Sequence, residues 1–215
     1  MRTLIITGGS ICDDFGIEIY RSEKWDTVIS ADSGLNFCYR TGIVPDLILG
    51  DFDSASAEIY KYYKERFTDR IKKFPVRKDG TDTELAVLAA IEEGSKEITI
   101  LGATGTRLDH ILANIQVMKG ALESGVNCVI TDPHNRVRLI DKDLTIEKEK
   151  QFGDYISLIP FTKEVRGLTL KGFSYCLDNY TLRSGNSLGV SNYITDDRAQ
   201  ITLKEGILIV IESRD

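Results

Sequence analysis

Two carboxylates one residue apart, at the end of an apolar run, are the first feature of this chain that could do chemistry. The run is Leu47–Leu49; Gly50 ends it, and Asp51 and Asp53 follow with Phe52 between them. If the chain is still extended there, the side-chain period of two sends Asp51 and Asp53 to one side and Phe52 to the other, into the core. Like charges held that close cost free energy unless a cation or a proton neutralises them. A divalent metal with oxygen ligands does so, and Mg2+ keeps waters and recruits substrate phosphates to complete its shell. The competing reading is a solvated turn in which Ser54 caps the next helix.

Similar acids recur. Asp32 follows the run Thr27–Ala31 and precedes Gly34; its plain role is to cap a helix or sit in its first turn. In Lys78–Glu84, Thr81-x-x-Glu84 reads as a capping box opening an apolar helix, with Asp82 in the first turn. Asp79 is left without a structural role by that box, so Asp79 and Asp82 are better functional candidates than Glu84.

Gly102–His110 (GATGTRLDH) places glycines before a helix, where backbone amides and the electropositive helix start suit a phosphate. It lacks the spacing of a Walker loop. Arg107 is the basic residue expected near phosphate oxygens, Thr106-x-x-Asp109 reads as a second capping box, and His110 is read as structural. Farther on, Arg183–Asn192 (RSGNSLGVSN) is a polar, glycine-punctuated loop. A plain hairpin loop explains it, although its hydroxyls and amides would also suit a neutral heterocycle. No Ser/His/Asp or Cys/His set has the spacing of a nucleophilic catalyst. Several Asp, glycine loops and no nucleophile point to metal-assisted chemistry on a phosphorylated substrate.

These residues need elements to hold them. Up to about residue 135, short apolar strands alternate with helices: Thr3–Thr7, Thr27–Ala31, Leu47–Leu49, Arg70–Phe74, Glu97–Leu101 and Val126–Thr131 as strands, with helices ending near Arg40 and spanning Ala55–Phe67, Thr83–Glu93 and Leu108–Ser124. Wholly apolar strands spaced by helices predict a mostly parallel sheet with helices on both faces. Ligands bind beyond the carboxyl ends of such strands, and those ends carry GGS, DSG, GDFDS, GATG and DP. From about Asn135 the runs become short and rich in Val, Ile, Thr and Tyr (YISLIPF, RGLTLKG, NYTLRSG, GVSNYIT, AQITLKEGILIVIES), which predicts an antiparallel β-sandwich over 136–215 after an α/β domain over 1–135. Glu205-Gly206 is read there as a two-residue hairpin turn.

Composition bounds the partners. The 215 residues carry a net charge of −6, which gives no general cationic field for nucleic acid or an anionic membrane. The four cysteines (Cys12, Cys38, Cys128, Cys176) contain no CxxC pair, as expected of reduced thiols. The first apolar stretch is too short for a signal peptide and no later run approaches a membrane span. A cytoplasmic protein is expected.

ADSG at 31–34, PDLILGDFDS at 45–54, KDGTDTELA at 78–86, GATGTRLDH at 102–110 and SLGVSN at 187–192 together resemble the thiamine pyrophosphokinase (thiamine diphosphokinase) family, in its bacterial style. The pieces arrive in the family's order and span most of the chain. The resemblance implies an α/β catalytic domain followed by a β-sandwich thiamine-binding domain, and transfer of pyrophosphate from ATP to the thiamine hydroxyl, giving thiamine diphosphate and AMP. It implies that Asp32, Asp51, Asp53 and Asp79 or Asp82 hold Mg2+, with Asp51, Asp53, Asp79 and Asp82 the carboxylates of the chemistry. Ser33, Gly102, Thr104, Gly105, Arg107 and Asp109 fall to the nucleotide, and Ser187, Ser191 and Asn192 to thiamine. It also implies a homodimer with its active site in a cleft between subunits. One departure stands out: the only tryptophan, Trp25, lies in the α/β half, so Tyr193 is the aromatic residue available beside the thiamine loop. Two rival readings use the same residues: a metal-dependent phosphohydrolase with water as acceptor, and a non-catalytic nucleotide sensor. The loop before Asn192 counts against the first and the number of carboxylates against the second.

Overall fold

A computed structural model describes residues 1–52, 56–73 and 80–215. The chain divides into two compact units, Met1–Pro133 and His134–Asp215.

The first unit runs β1 (Arg2–Ile6), α1 (Asp13–Ser22), β2 (Thr27–Ala31), α2 (Gly34–Thr41), β3 (Leu47–Gly50), α3 (Ala57–Arg66), β4 (Ile71–Lys73), α4 (Asp82–Glu92), β5 (Glu97–Leu101), α5 (Leu108–Glu123) and β6 (Asn127–Thr131). The strands stand in the order β4-β3-β2-β1-β5-β6, every neighbouring pair parallel. The chain therefore builds outward from β1 to β4, then returns through α4 to place β5 on the other side of β1. Both faces are covered, as continuous apolar strands require. Leu4 and Ile6 pack with Leu35, Phe37 and Tyr63 of α2 and α3, while the period of two turns Ile5 to the opposite face, where α4 also meets β1.

One predicted detail fails here, and one element was not predicted. The chain does not stay extended past Gly50, because Phe52 takes a left-handed backbone (φ 65). Phe52 still reaches the core, 8% exposed and stacked on Tyr60 at 4.5 Å, but the alternation invoked for Asp51 and Asp53 is not what puts it there. Asp53 and Ser54 lie outside the described residues, and the helix begins at Ala57 after Ser56. The helix α1 has no counterpart in the sequence reading. Its Gly16 sits mid-helix, a poor helix former, because a β-carbon there would stand 2.5 Å from the Phe37 ring.

The second unit holds β7 (Asn135–Ile140), β8 (Leu144–Glu147), β9 (Tyr155–Pro160), β10 (Glu164–Lys171), β11 (Leu177–Arg183), β12 (Arg198–Thr202) and β13 (Leu208–Ser213). Two antiparallel layers form, β7-β13-β9 and β11-β10-β12-β8. Their inward residues, among them Ile156, Leu158, Leu168, Leu182, Ile201 and Val210, make one core. Strand β13 reads alternately buried and half-buried. Its Glu212 is 1% exposed and tolerable there because one carboxylate oxygen pairs with Arg138 and the other accepts from the Phe152 amide at 2.9 Å. The predicted classes, a helix-covered parallel sheet and an antiparallel β-sandwich, are the classes observed.

Glu205-Gly206 is not a hairpin turn: β12 and β13, on either side of it, belong to different layers. The apolar runs there match hairpin arms, but the chain uses the turn to cross between sheets, with Gly206 at φ 101. GVSNYIT is likewise not a strand. It forms turns with isolated bridges from Asn192 to Ile156 and from Ile194 to Phe173.

Candidate functional site

The carboxyl ends of the strands, where chemistry was expected, open into a cleft of about 810 Å³ in the first unit. It lies at the topological switch point, where the chain departs from β1 toward β2 on one side and β5 lies on the other, the place where open α/β sheets bind ligands. Three loops and two helix starts line it: Thr7–Ser10 after β1, Asp32-Ser33 after β2, Gly102–Arg107 after β5, Thr81–Thr83 at α4 and Asp109–Asn114 in α5.

The loops after β1 and β5 are zipped together. Thr7 N donates to Leu101 O (2.9 Å), Gly9 N to Gly102 O (2.8 Å) and Ser10 N to Thr104 O (2.9 Å). Glycine makes that approach possible. A β-carbon on Gly9 would stand 2.2 Å from Gly102 O, and one on Gly102, which is at φ 74, would stand 2.3 Å from Thr7 O. Buried side chains fasten the pair from both flanks. Thr7 and Thr83 share a hydroxyl–hydroxyl bond of 2.9 Å, and Asn114 Nδ2 donates to Ala103 O at 2.7 Å.

Asp32 is held beside this pair in a left-handed conformation (φ 47), with its amide donating to Leu49 O at 2.8 Å. A non-glycine residue in that region stores strain. It is not a first-turn acid; α2 starts two residues later, with Ser33 in the cap position making no side-chain cap. Ser33 lies against Gly8, where an added β-carbon would stand 2.0 Å from its Oγ. Because β2 and β3 pair in register up to Ala31 and Leu49, Asp32 and Asp51 leave neighbouring strand ends, with Asp51 half-buried.

At α4 the capping box forms as predicted on one side, Thr81 Oγ1 accepting from the Glu84 amide at 3.2 Å, with Asp82 in the first turn. At α5 it does not form. Arg107 occupies the cap position in extended conformation, and Thr106 makes no cap. Asp109 instead bonds Arg107, Nη2 to Oδ2 at 2.6 Å, and accepts from the His110 amide at 3.0 Å. The guanidinium beside it holds the Asp109 carboxyl down at about 2. Both side chains of this pair are exposed.

Of the residues singled out in the sequence, the cleft gathers Asp32, Ser33, Asp82, Gly102, Thr104, Gly105, Arg107 and Asp109. Asp51 stands at the adjoining strand end without lining the cleft. Asp53 and Asp79 lie outside the described residues; of the expected metal ligands, Asp32, Asp51 and Asp82, the alternative to Asp79, are described. Among the described residues no group of three or more His, Cys, Asp or Glu side chains forms a metal cluster. The donor set suits a hard cation nonetheless. Asp32 and Asp51 offer only carboxylate oxygen, the ligand type Mg2+ takes, and Gly50 leaves the room Asp32 occupies. Thr7, Gly8, Gly9, Ser10, Thr83, His110 and Asn114 also line the cleft and were not assigned to it from sequence. The readable signal was Gly8-Gly9-Ser10 at the end of an apolar strand; Asn114 left none.

In the second unit, Ser187 and Ser191 are exposed and Asn192 is buried. Asn192 Oδ1 accepts from the amides of Tyr175 (3.0 Å) and Tyr193 (2.9 Å), and its Nδ2 donates to Tyr175 O (2.8 Å). Its amide therefore braces two turns, and the two tyrosine rings stand edge-to-face at 6.4 Å. Ser191 (φ 58) donates its amide to Ser157 Oγ at 3.0 Å.

Known proteins resemble this chain in sequence and in fold. A family model described as thiamin pyrophosphokinase, catalytic domain, matches residues 20–130, and one described as thiamin pyrophosphokinase, vitamin B1 binding domain, matches residues 142–208. The thiamine pyrophosphokinase of Bacillus subtilis is 34% identical over 188 residues, covering 87% of each chain. The crystal structure of thiamine pyrophosphokinase from Bacillus subtilis superposes with a TM-score of 0.89 at 32% identity, covering 100% of both chains. That of the Geobacillus thermodenitrificans protein gives 0.87 at 30% identity, over 100% of this chain and 98% of the other. The Candida albicans enzyme, 19% identical, shares the fold with a TM-score of 0.80 over 99% of this chain and 88% of its own.

Proposed function

The chain belongs to the thiamin pyrophosphokinase family, and on that premise we propose that it transfers the pyrophosphoryl group of ATP to the hydroxyl of thiamine, releasing thiamine diphosphate and AMP. The observation that carries the reading is the glycine-zipped cleft at the switch point, with carboxylates at its rim and two helix starts opening into it.

In this reading the thiamine hydroxyl oxygen forms a bond to the β-phosphorus as the bond from that phosphorus to the oxygen bridging to the α-phosphate breaks. The hydroxyl proton passes to a carboxylate at the rim, and AMP leaves with the bridging oxygen. Asp32 and Asp51, with Asp53 and Asp79 or Asp82, would hold Mg2+, which when bound offsets charge on the phosphate oxygens. The amides after β5 and the start of α5 receive phosphate oxygens, and Arg107 exchanges its partner Asp109 for one of them. Asp82, in the first turn of α4, is the remaining acid of the chemistry. Holding donor, acceptor and phosphorus in line supplies much of the rate.

The antiparallel unit takes thiamine, with Ser187 and Ser191 offering hydroxyls; Asn192 serves by shaping the turns that carry Tyr175 and Tyr193. The α/β unit is accordingly the catalytic domain and the β-sandwich the acceptor-binding domain. A homodimer and a cytoplasmic location belong to the same reading. Among the described residues no helix is long and apolar enough to cross a membrane.

The test is a product assay with ATP, Mg2+ and thiamine, following AMP and thiamine diphosphate together. Equimolar appearance of both, abolished by EDTA, is expected. Free phosphate without thiamine diphosphate would instead identify a hydrolase.

A further inference from the structure

We propose that Asn114 is a positioning residue for the nucleotide: from inside α5 it sets the loop after β5 so that the loop's amides face the cleft. The inference rests on the reading above, in which that loop receives phosphate.

The inward residues of α5 that are buried are Asn114, Met118 and Ala121, one stripe by helical spacing. Two of them are apolar. An amide at the third is a poor choice for the helix itself and costs desolvation unless it is bonded. Asn114 is 7% exposed, and its Nδ2 spends a hydrogen on the Ala103 carbonyl at 2.7 Å.

That bond completes a pattern. Three consecutive carbonyls of the loop are each claimed: Gly102 O by the Gly9 amide, Thr104 O by the Ser10 amide, and Ala103 O, between them, by Asn114. The first two are taken by the neighbouring loop and the third by a side chain from the helix. Among the described residues, the amides of Ala103, Thr104, Gly105 and Thr106 donate to no protein atom. The three peptides whose amides belong to Ala103, Thr104 and Gly105 thus have the carbonyl tied back and the amide spare, the condition for an anion cradle. Without Asn114 the Ala103 peptide is free to turn, and a peptide that turns presents its carbonyl to the phosphates in place of an amide. Asn114 itself need touch no substrate.

The experiment compares the parent chain with Asn114→Leu, branched at the same carbon but with no donor, and Asn114→Asp, similar in shape with the donor replaced by an acceptor. Calorimetric Kd for ATP with Mg2+, and kcat and KM for each substrate, are read beside far-UV circular dichroism. Expected is a rise of about tenfold or more in the nucleotide Kd and KM in both variants, with the thiamine KM within twofold of the parent. A nucleotide Kd within twofold in a folded Asn114→Leu variant overturns the proposal, even if Asn114→Asp binds weakly, since the added charge alone would explain that. Loss of the fold in both variants overturns it too, because Asn114 would then be holding the core. A parent chain that neither binds ATP nor makes thiamine diphosphate would strike at the proposed function instead, before either variant is compared.

Discussion

A β-carbon on Gly50 would stand 3.1 Å from the Cα of Asp32 and 3.2 Å from its amide nitrogen. The bare backbone of one strand end thus gives the left-handed aspartate of the next its room. Gly50→Ala is expected to push Asp32 out of place, and at φ 148 the alanine adds backbone strain of about 1–3 kcal/mol. Turnover should fall and the Mg2+ concentration for half-maximal rate should rise, in a protein with a lowered melting temperature. An unchanged Mg2+ dependence would detach Asp32 from the metal.

Asp51→Asn and Asp53→Asn remove charge without removing bulk. On the proposed reading these acids serve the cation, so turnover should drop by on the order of 10²-fold or more while the circular dichroism spectrum stays that of the parent. Near-normal rates in both variants would remove them from the metal site.

Thr83→Val leaves the Thr7 hydroxyl facing a methyl group where it now has a 2.9 Å partner in a buried position. An orphaned buried hydroxyl costs about 1–3 kcal/mol, to be read from the urea midpoint. Since Thr7 opens the loop that is zipped to the one after β5, the nucleotide KM should rise as well. A loss of stability with an unaltered KM would confine the bond to the scaffold.

Arg107→Ala frees Asp109. The carboxyl held at about 2 by the guanidinium should return toward the ordinary aspartate value of about 3.9. A group depressed in the folded state contributes stability above its unfolded value and loses it as pH falls toward 2. Both side chains are exposed, so carboxyl NMR titration is a sharper readout than melting. If Arg107 takes phosphate as proposed, the nucleotide KM should increase in the same variant. A carboxyl that still titrates near 2 without Arg107 would contradict the assigned cause.

Much of this was legible in the chain. Strands β2 and β5 have the limits their apolar runs suggest, because continuous hydrophobicity between turn residues is the pattern of a strand buried on both faces. The cleft residues Asp32, Gly102 and Arg107 were legible for the same reason: each follows such a run at the end where ligands collect. What escaped depended on partners far away in sequence. Helix α1 hides behind Gly16, whose reason is the Phe37 ring. Strands β7 and β8 are embedded in a charged stretch, where Arg138 is acceptable only because Glu212 comes from the far end of the chain to meet it. Asn114 looks like any polar residue on a helix until the Ala103 carbonyl is placed beneath it.

The strand order carries a consequence for how the molecule comes into being. Strand β1 is synthesised before both of its neighbours, and the nearer of them in the chain is β2, Thr3 beside Thr27. Its other flank must wait for β5, Arg2 beside Glu97. Until then a nascent chain carries an apolar strand with an open row of backbone donors and acceptors, the template on which aggregates grow. The excursion through β2, β3 and β4 that builds one side of the cleft thus prolongs the time this chain is vulnerable on the ribosome.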